Sequence, residues 1–284
     1  MQNKKALIEG YNDLLYDIYL EHDLQCLFDN EANYNGRNVL GAGGTAEVAS
    51  VSSGLHERLN EATDSLRLPR FERMHAEGEI LSVSADIKYR LGTLYLYLPY
   101  TVELHNSHYN FEGVKQFFLE PTRFDARFNR EVPIAFEALY KFWQRLMDFV
   151  LSYFPEELLR VKGISYFHTA IQYIEKHQPQ LTASENFKWI RDFADNQYPK
   201  INQRRKHFVH TEGYENKFSR EFLESDTTSL ADMLKLEQQR EELPAFLKEQ
   251  MFFCMEGYFK AMDFLNELKS KIDANTKKIT YSLT

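Results

Sequence analysis

The side chains best suited to chemistry lie in Arg204-Arg205-Lys206-His207-Phe208-Val209-His210, between Tyr198-Pro199 and Thr211-Glu212-Gly213. An imidazole titrates near neutrality, so His210 can take the proton of an RNA 2'-hydroxyl or return one to a leaving 5'-oxygen. A guanidinium is always charged and fork-shaped, and Arg205 would hold a phosphate and stabilise the charge that builds on its oxygens. The product of that chemistry is a 2',3'-cyclic phosphate. Arg204, Lys206 and His207 extend the anion-binding surface, and Lys200 lies one or two helical turns away.

The position of Arg205 is itself a signal. Tyr198 and Ile201 begin an apolar stripe whose next helical steps fall on Arg205 and Phe208, so a charge occupies a place meant for an apolar side chain. Such a break is resolved by snorkelling, by a buried carboxylate, or by a ligand or second subunit that wants the charge. Five residues along a helix turn through about 500° and rise about 7.5 Å, which leaves Arg205 and His210 about 140° apart. Either the last turn loosens before Gly213, or two copies of the motif face each other. The bare R-x4-H spacing is weak evidence: 16 Arg and nine His in 284 residues give about half a match by chance. Arg70 and His75 match it as well, without the apolar pair and the following Gly. Basic residues in a last helical turn also suit the macrodipole with no function attached.

Other groupings carry less. Glu72-x-x-His75 is half of a di-metal carboxylate set with no second E-x-x-H. His105-x-x-His108 and His207-x-x-His210 each offer two ligands where a site needs three or four. Leu40-Gly41-Ala42-Gly43-Gly44-Thr45 looks like a glycine-rich phosphate loop, but Val48, Val51, Leu55, Leu59, Ala62 and Leu66 form a helical stripe behind it with Thr45 as N-cap, so it reads as a loop feeding a helix. No metal or other cofactor is implied.

The elements that must position these residues are helices. With 43% hydrophobic residues and 14% aromatics the chain has ample core material, and its 12 Gly and eight Pro are few and dispersed. Leu7, Tyr11, Leu14/Leu15, Ile18 and His22 mark a first helix. Ile80, Val83, Ile87, Leu91, Leu94 and Leu98 continue the helical period, although Leu94–Leu98 also alternates like a strand. Residues 101–130 read as a long connection. After Pro133 the seam Val132, Phe136, Leu139, Trp143, Leu146, Val150, Tyr153 predicts the clearest helix. Ile171 and Ile174 suggest a short one, and Phe187, Ile190 and Ala194 a longer one reaching Pro199. Met251, Met255, Tyr258, Met262 and Leu265 mark a last helix after Pro244. The expected architecture is all-α, a bundle of about six to eight helices.

Cys26 and Cys254 form neither a knuckle nor a disulfide framework, no stretch is long and apolar enough to span a membrane, and nothing marks secretion, so the expected compartment is the cytoplasm. A net charge of -8 confines any nucleic-acid site to a local patch.

Arg205-x4-His210, with Phe208-Val209 inside it and Gly213 beyond, on an all-helical chain, resembles the HEPN (higher eukaryotes and prokaryotes nucleotide-binding) superfamily. Lys206 stands where members often carry Asn. The resemblance covers seven or so residues in detail and 131–273 in organisation. It implies one all-helical domain over 1–284, with a HEPN-like core at 131–273 and additional helices in 1–130. It also implies a homodimeric, metal-independent endoribonuclease of the toxin or abortive-infection kind, with Arg205 and His210 catalytic. RNA is then the substrate, and an antitoxin protein a possible partner. The alternative is a non-catalytic HEPN-like module that binds a protein or nucleotide.

Overall fold

The structure, a computed structural model, describes residues 2–27, 70–151, 166–177, 179–208 and 212–281. The described chain is helical apart from one hairpin: α1 (Gln2–Glu21), α2 (Arg70–Tyr97), β1 (His108–Phe111), β2 (Val114–Phe117), α3 (Arg123–Leu151), α4 (Phe167–His177), α5 (Glu185–Asn196), α6 (Tyr198–Lys206), α7 (Tyr214–Glu224) and α8 (Leu230–Tyr281). This is the expected all-α class. The glycine run at 41–44, its predicted helix through Leu66, and Tyr153 lie outside the described residues, as do Val209 and His210.

The ambiguity at Leu94–Leu98 resolves to the helical period rather than the strand-like alternation: Leu94 to Tyr97 close α2, and Leu98 opens a short 3-10 turn. Two expectations change. The presumed connection at 101–130 contains an antiparallel hairpin, with His108 opposite Phe117 and Phe111 opposite Val114. Its two-residue turn places Glu112 (φ 48°) and Gly113 (φ 82°) in the left-handed region, as a type I′ turn requires. The second change is that α3 starts ten residues before Pro133, and α8 fourteen before Pro244. A proline inside a helix removes one N–H, and here the packed seam outweighs that loss. The true start of α3 is a capping box. Thr122 Oγ1 accepts the N–H groups of Phe124 and Asp125 at 3.1 and 3.2 Å, and Asp125 accepts the Thr122 N–H at 2.7 Å.

The chain divides into two compact units, each drawn from three stretches. The first comprises 1–25, 86–139 and 202–252. Within it α1 lies on α2 through Tyr19 and His22: Tyr95 stacks on His22 at 3.8 Å, and a Cβ at Gly92 would meet the Tyr19 ring at 2.3 Å. The expected stripe of α1 is the inner one at Tyr11, Leu15, Ile18 and His22, with Leu15 buried, while Leu7 and Leu14 are exposed. A second cluster packs Leu104, Phe117, Phe218, Phe222, Met233 and Leu236 under the hairpin. Polar pins hold the strap between α2 and α3. Asp125 accepts the Val102 N–H at 3.1 Å and pairs with Arg240 at 3.2 Å, while Arg240 donates to the Val102 carbonyl at 2.5 Å. His105 Nδ1 lies 2.7 Å from Glu237.

The second unit comprises 26–85, 140–201 and 253–284. Trp143, fully buried, stacks on Phe193 at 3.8 Å and contacts Phe167 at 5.1 Å. Gly257 admits the indole edge: a Cβ there would lie 2.3 Å from Trp143 Cη2. Ser184 caps α5 by accepting the Phe187 N–H at 3.2 Å. Cys26 and Cys254 are both buried and form no disulfide among the described residues, and burial pushes the Cys254 thiol up from its ordinary value. Among the described residues no helix is long and apolar enough to cross a membrane.

Candidate nucleic-acid interface

Pro199 sits in the first turn of α6, where its missing N–H costs little. The helix ends at Lys206, and residues 207–208 widen to a π-type turn. The Glu212 N–H bonds back to the His207 carbonyl at 2.9 Å. Arg220 of α7 fastens Glu212 further, at 2.9 Å, and its guanidinium holds the Glu212 carboxyl below the usual carboxylate range.

The adjacent arginines of this helix end point to different surroundings. Arg205 Nε lies 2.6 Å from Glu137 Oε2 on α3, so the break in the apolar stripe is answered by a carboxylate. Arg204 instead borders a cavity of about 740 Å³ in the first unit. Its guanidinium lies over the Phe246 ring at 4.0 Å, and it makes no ion pair among the described residues. Desolvation lowers its pKa from the ordinary value, and a guanidinium stays charged through such a shift. His207 lines the same cavity, its Nε2 buried with no hydrogen bond and 3.9 Å from Glu212. Lys206 is exposed. Lys200 is also exposed, with Nζ bonded to Gln197 at 3.0 Å. Neither lines the cavity. Of the expected anion-binding residues, then, Arg204 and His207 converge, and Arg205 is held by α3.

The opposite walls come from α7 and α8, which the sequence reading did not assign to a site. Tyr214, Lys217, Phe218 and Glu221 line it from α7; Gln239, Arg240, Glu242, Leu243 and Phe246 from α8. Arg240 is 4% exposed and lies over Phe218 at 5.3 Å, its Nε without a hydrogen bond. The signal for Arg240 was present and was the same one that drew attention to Arg205: Met233, Leu236, Leu243 and Leu247 are a buried stripe, and Arg240 interrupts it. Lys217 donates to Glu221, so two of the three lining cations, Lys217 and Arg240, have carboxylate partners. A cavity that offers aromatic faces, amides and one uncompensated cation can stack an unpaired base and hold a neighbouring phosphate.

Among the described residues no three His, Cys, Asp or Glu side chains group as metal ligands. The side chains of Glu72 and His75 lie outside the description. No protein-family model matches the chain, and no curated protein or solved structure matches it either.

Proposed function

We propose that this protein is a metal-independent endoribonuclease of the HEPN kind, working in the cytoplasm as a homodimer, with an antitoxin protein as the partner that restrains it. The observation that carries this reading is the convergence of Arg204 and His207, from the basic stretch ending in His210, on an aromatic-walled cavity sized for a nucleotide. In the proposed cycle an unpaired base enters beside Phe246 while Arg204 binds a backbone phosphate. Arg205, oriented by Glu137, stabilises the charge on the scissile phosphate. His210 takes the 2'-hydroxyl proton. The 2'-oxygen bonds to phosphorus, the P–O5' bond breaks, and the leaving 5'-oxygen acquires a proton, giving a 2',3'-cyclic phosphate and a 5'-hydroxyl.

A second reading is favoured by one contact. At 2.6 Å, Glu137 already answers the charge of Arg205, as in a structural ion pair, and this fits a non-catalytic module that keeps the scaffold and binds RNA or a nucleotide in the cavity. Incubating the purified chain with structured and unstructured RNA in excess chelator separates the two. The nuclease reading expects cleavage that Arg205→Ala and His210→Ala both abolish with helicity unchanged. Intact RNA with a mobility shift that Arg204→Ala removes would leave the module. Intact RNA with no shift would sink both.

A further inference from the structure

The hairpin has its faces reversed from what an exposed two-stranded sheet should have. Phe117, on the inner face, is 2% exposed in the cluster under the hairpin. The outer face carries Tyr109, Phe111, Val114 and Phe118, exposed by 50, 61, 51 and 36%. Antiparallel sheets ordinarily turn polar side chains to water, and grouped apolar side chains at a surface mark an interaction site. The edge of β1 is also open. Phe118 N–H bonds Ser107 O, which makes 109:116 and 111:114 the hydrogen-bonded pairs of the ladder. His108 and Asn110 therefore aim their N–H and C=O groups away from β2, and among the described residues nothing pairs with them. The far edge of β2 is occupied, with Phe117 N–H bonded to Thr227 O at 2.8 Å.

We propose that this hairpin is a docking site for an extended, basic segment of another protein, which adds as a strand to β1 and lays alternate apolar side chains over the outer face. Main-chain bonds to His108 and Asn110 would supply register, and the four apolar residues the pockets. Charge selects the chemistry of the partner: β1 is flanked by exposed Glu103 and Glu112, with Glu120 beyond β2, while Lys115 lies over the Phe117 ring on the inner face. Area selects an extended segment over a second folded copy. At about 200 Å² per ring, the open parts of Tyr109, Phe111 and Phe118 amount to about 300 Å². A stable dimer covers about 800 Å² on each partner. The type I′ turn and the buried Phe117 make the hairpin a preformed template, so little ordering is needed on this side of the contact.

The test pans random dodecapeptides displayed on phage against the full chain, then measures a synthetic copy of the winning sequence by fluorescence anisotropy. Enriched peptides should alternate apolar residues with Lys or Arg. Asn110→Pro removes an outward N–H that the β1–β2 ladder does not use, and Phe111→Asp charges the outer face. Each should weaken binding at least about tenfold with the circular dichroism unchanged. If Asn110→Pro alters the spectrum, Tyr109→Lys, which charges the same face, takes its place. Arg204→Ala should bind as the parent does, which separates this site from the RNA cavity. The proposal is overturned by enriched peptides without basic alternation, or by binding that these variants leave intact. A concentration-dependent dimer that Asn110→Pro dissociates would overturn it too, because the edge would then belong to a second copy.

Discussion

Replacing Arg240 by Met tests the polar pin that holds the hairpin strap to α3 and α8. The side chains of Arg240 and Asp125 are each 5% exposed, and the substitution keeps the stem volume while deleting two contacts, Nη1 to Asp125 at 3.2 Å and Nη2 to the Val102 carbonyl at 2.5 Å. Removing one member of a buried ion pair costs about 3–5 kcal/mol, since the other charge stays behind. Asp125 retains the N–H groups of Val102 and Thr122 and the Thr122 hydroxyl as donors. Those bonds keep its charge partly satisfied, so the loss should fall at the low end, about 3 kcal/mol. In urea that is a midpoint lower by about 1 M or more, read by far-UV circular dichroism at unchanged slope. Both tryptophans, Trp143 and Trp189, belong to the other unit, so their fluorescence is an independent probe of whether the loss stays local. Adding Asp125→Asn removes the stranded charge and should recover part of the stability. A midpoint shift below about 0.3 M, or a double variant as unstable as the two single losses added together, would refute the reasoning.

Three further outcomes are expected. Gly257→Ala puts a Cβ 2.3 Å from Trp143 Cη2, against a ring already stacked on Phe193, so overpacking of about 1–3 kcal/mol should outweigh the gain in helix propensity. Gly78→Ala, with nothing within 4 Å, should by contrast hold or gain stability in the same thermal melts. Glu212, held low by Arg220, contributes stability that is present above the unfolded glutamate pKa of about 4.3 and is lost as pH falls through the lowered folded value. Arg220→Met should return the carboxyl to the ordinary range in a carbon-detected NMR titration and abolish that acid-side loss, and equal titration in both proteins would contradict the assignment.

The fold was legible where one periodicity dominated. Val132, Phe136, Leu139, Trp143, Leu146 and Val150 are each at most 1% exposed, and the C-terminal seam is buried as well. Reading Pro133 and Pro244 as helix starts failed because each seam continues through its proline, and Thr122-x-x-Asp125 gave the better signal for α3. The hairpin was missed although His108-Tyr109-Asn110-Phe111 alternates, because each strand is only four residues long and its turn is Glu-Gly rather than Asn-Gly. At the site, the break at Arg205 pointed to a real accommodation, and the carboxylate that answers it is Glu137, 68 residues away in the chain. The cavity could not be foreseen from the basic stretch alone, since most of its walls come from α7 and α8.

The sealed cysteines turn the second unit into its own clock. A thiol attacks only as thiolate, and that of Cys254 is both shielded from solvent and biased toward its protonated form. With Cys26 closed off in the same unit, a slow alkylating reagent would mark the chain at the pace with which that core breathes, without any label having to be engineered.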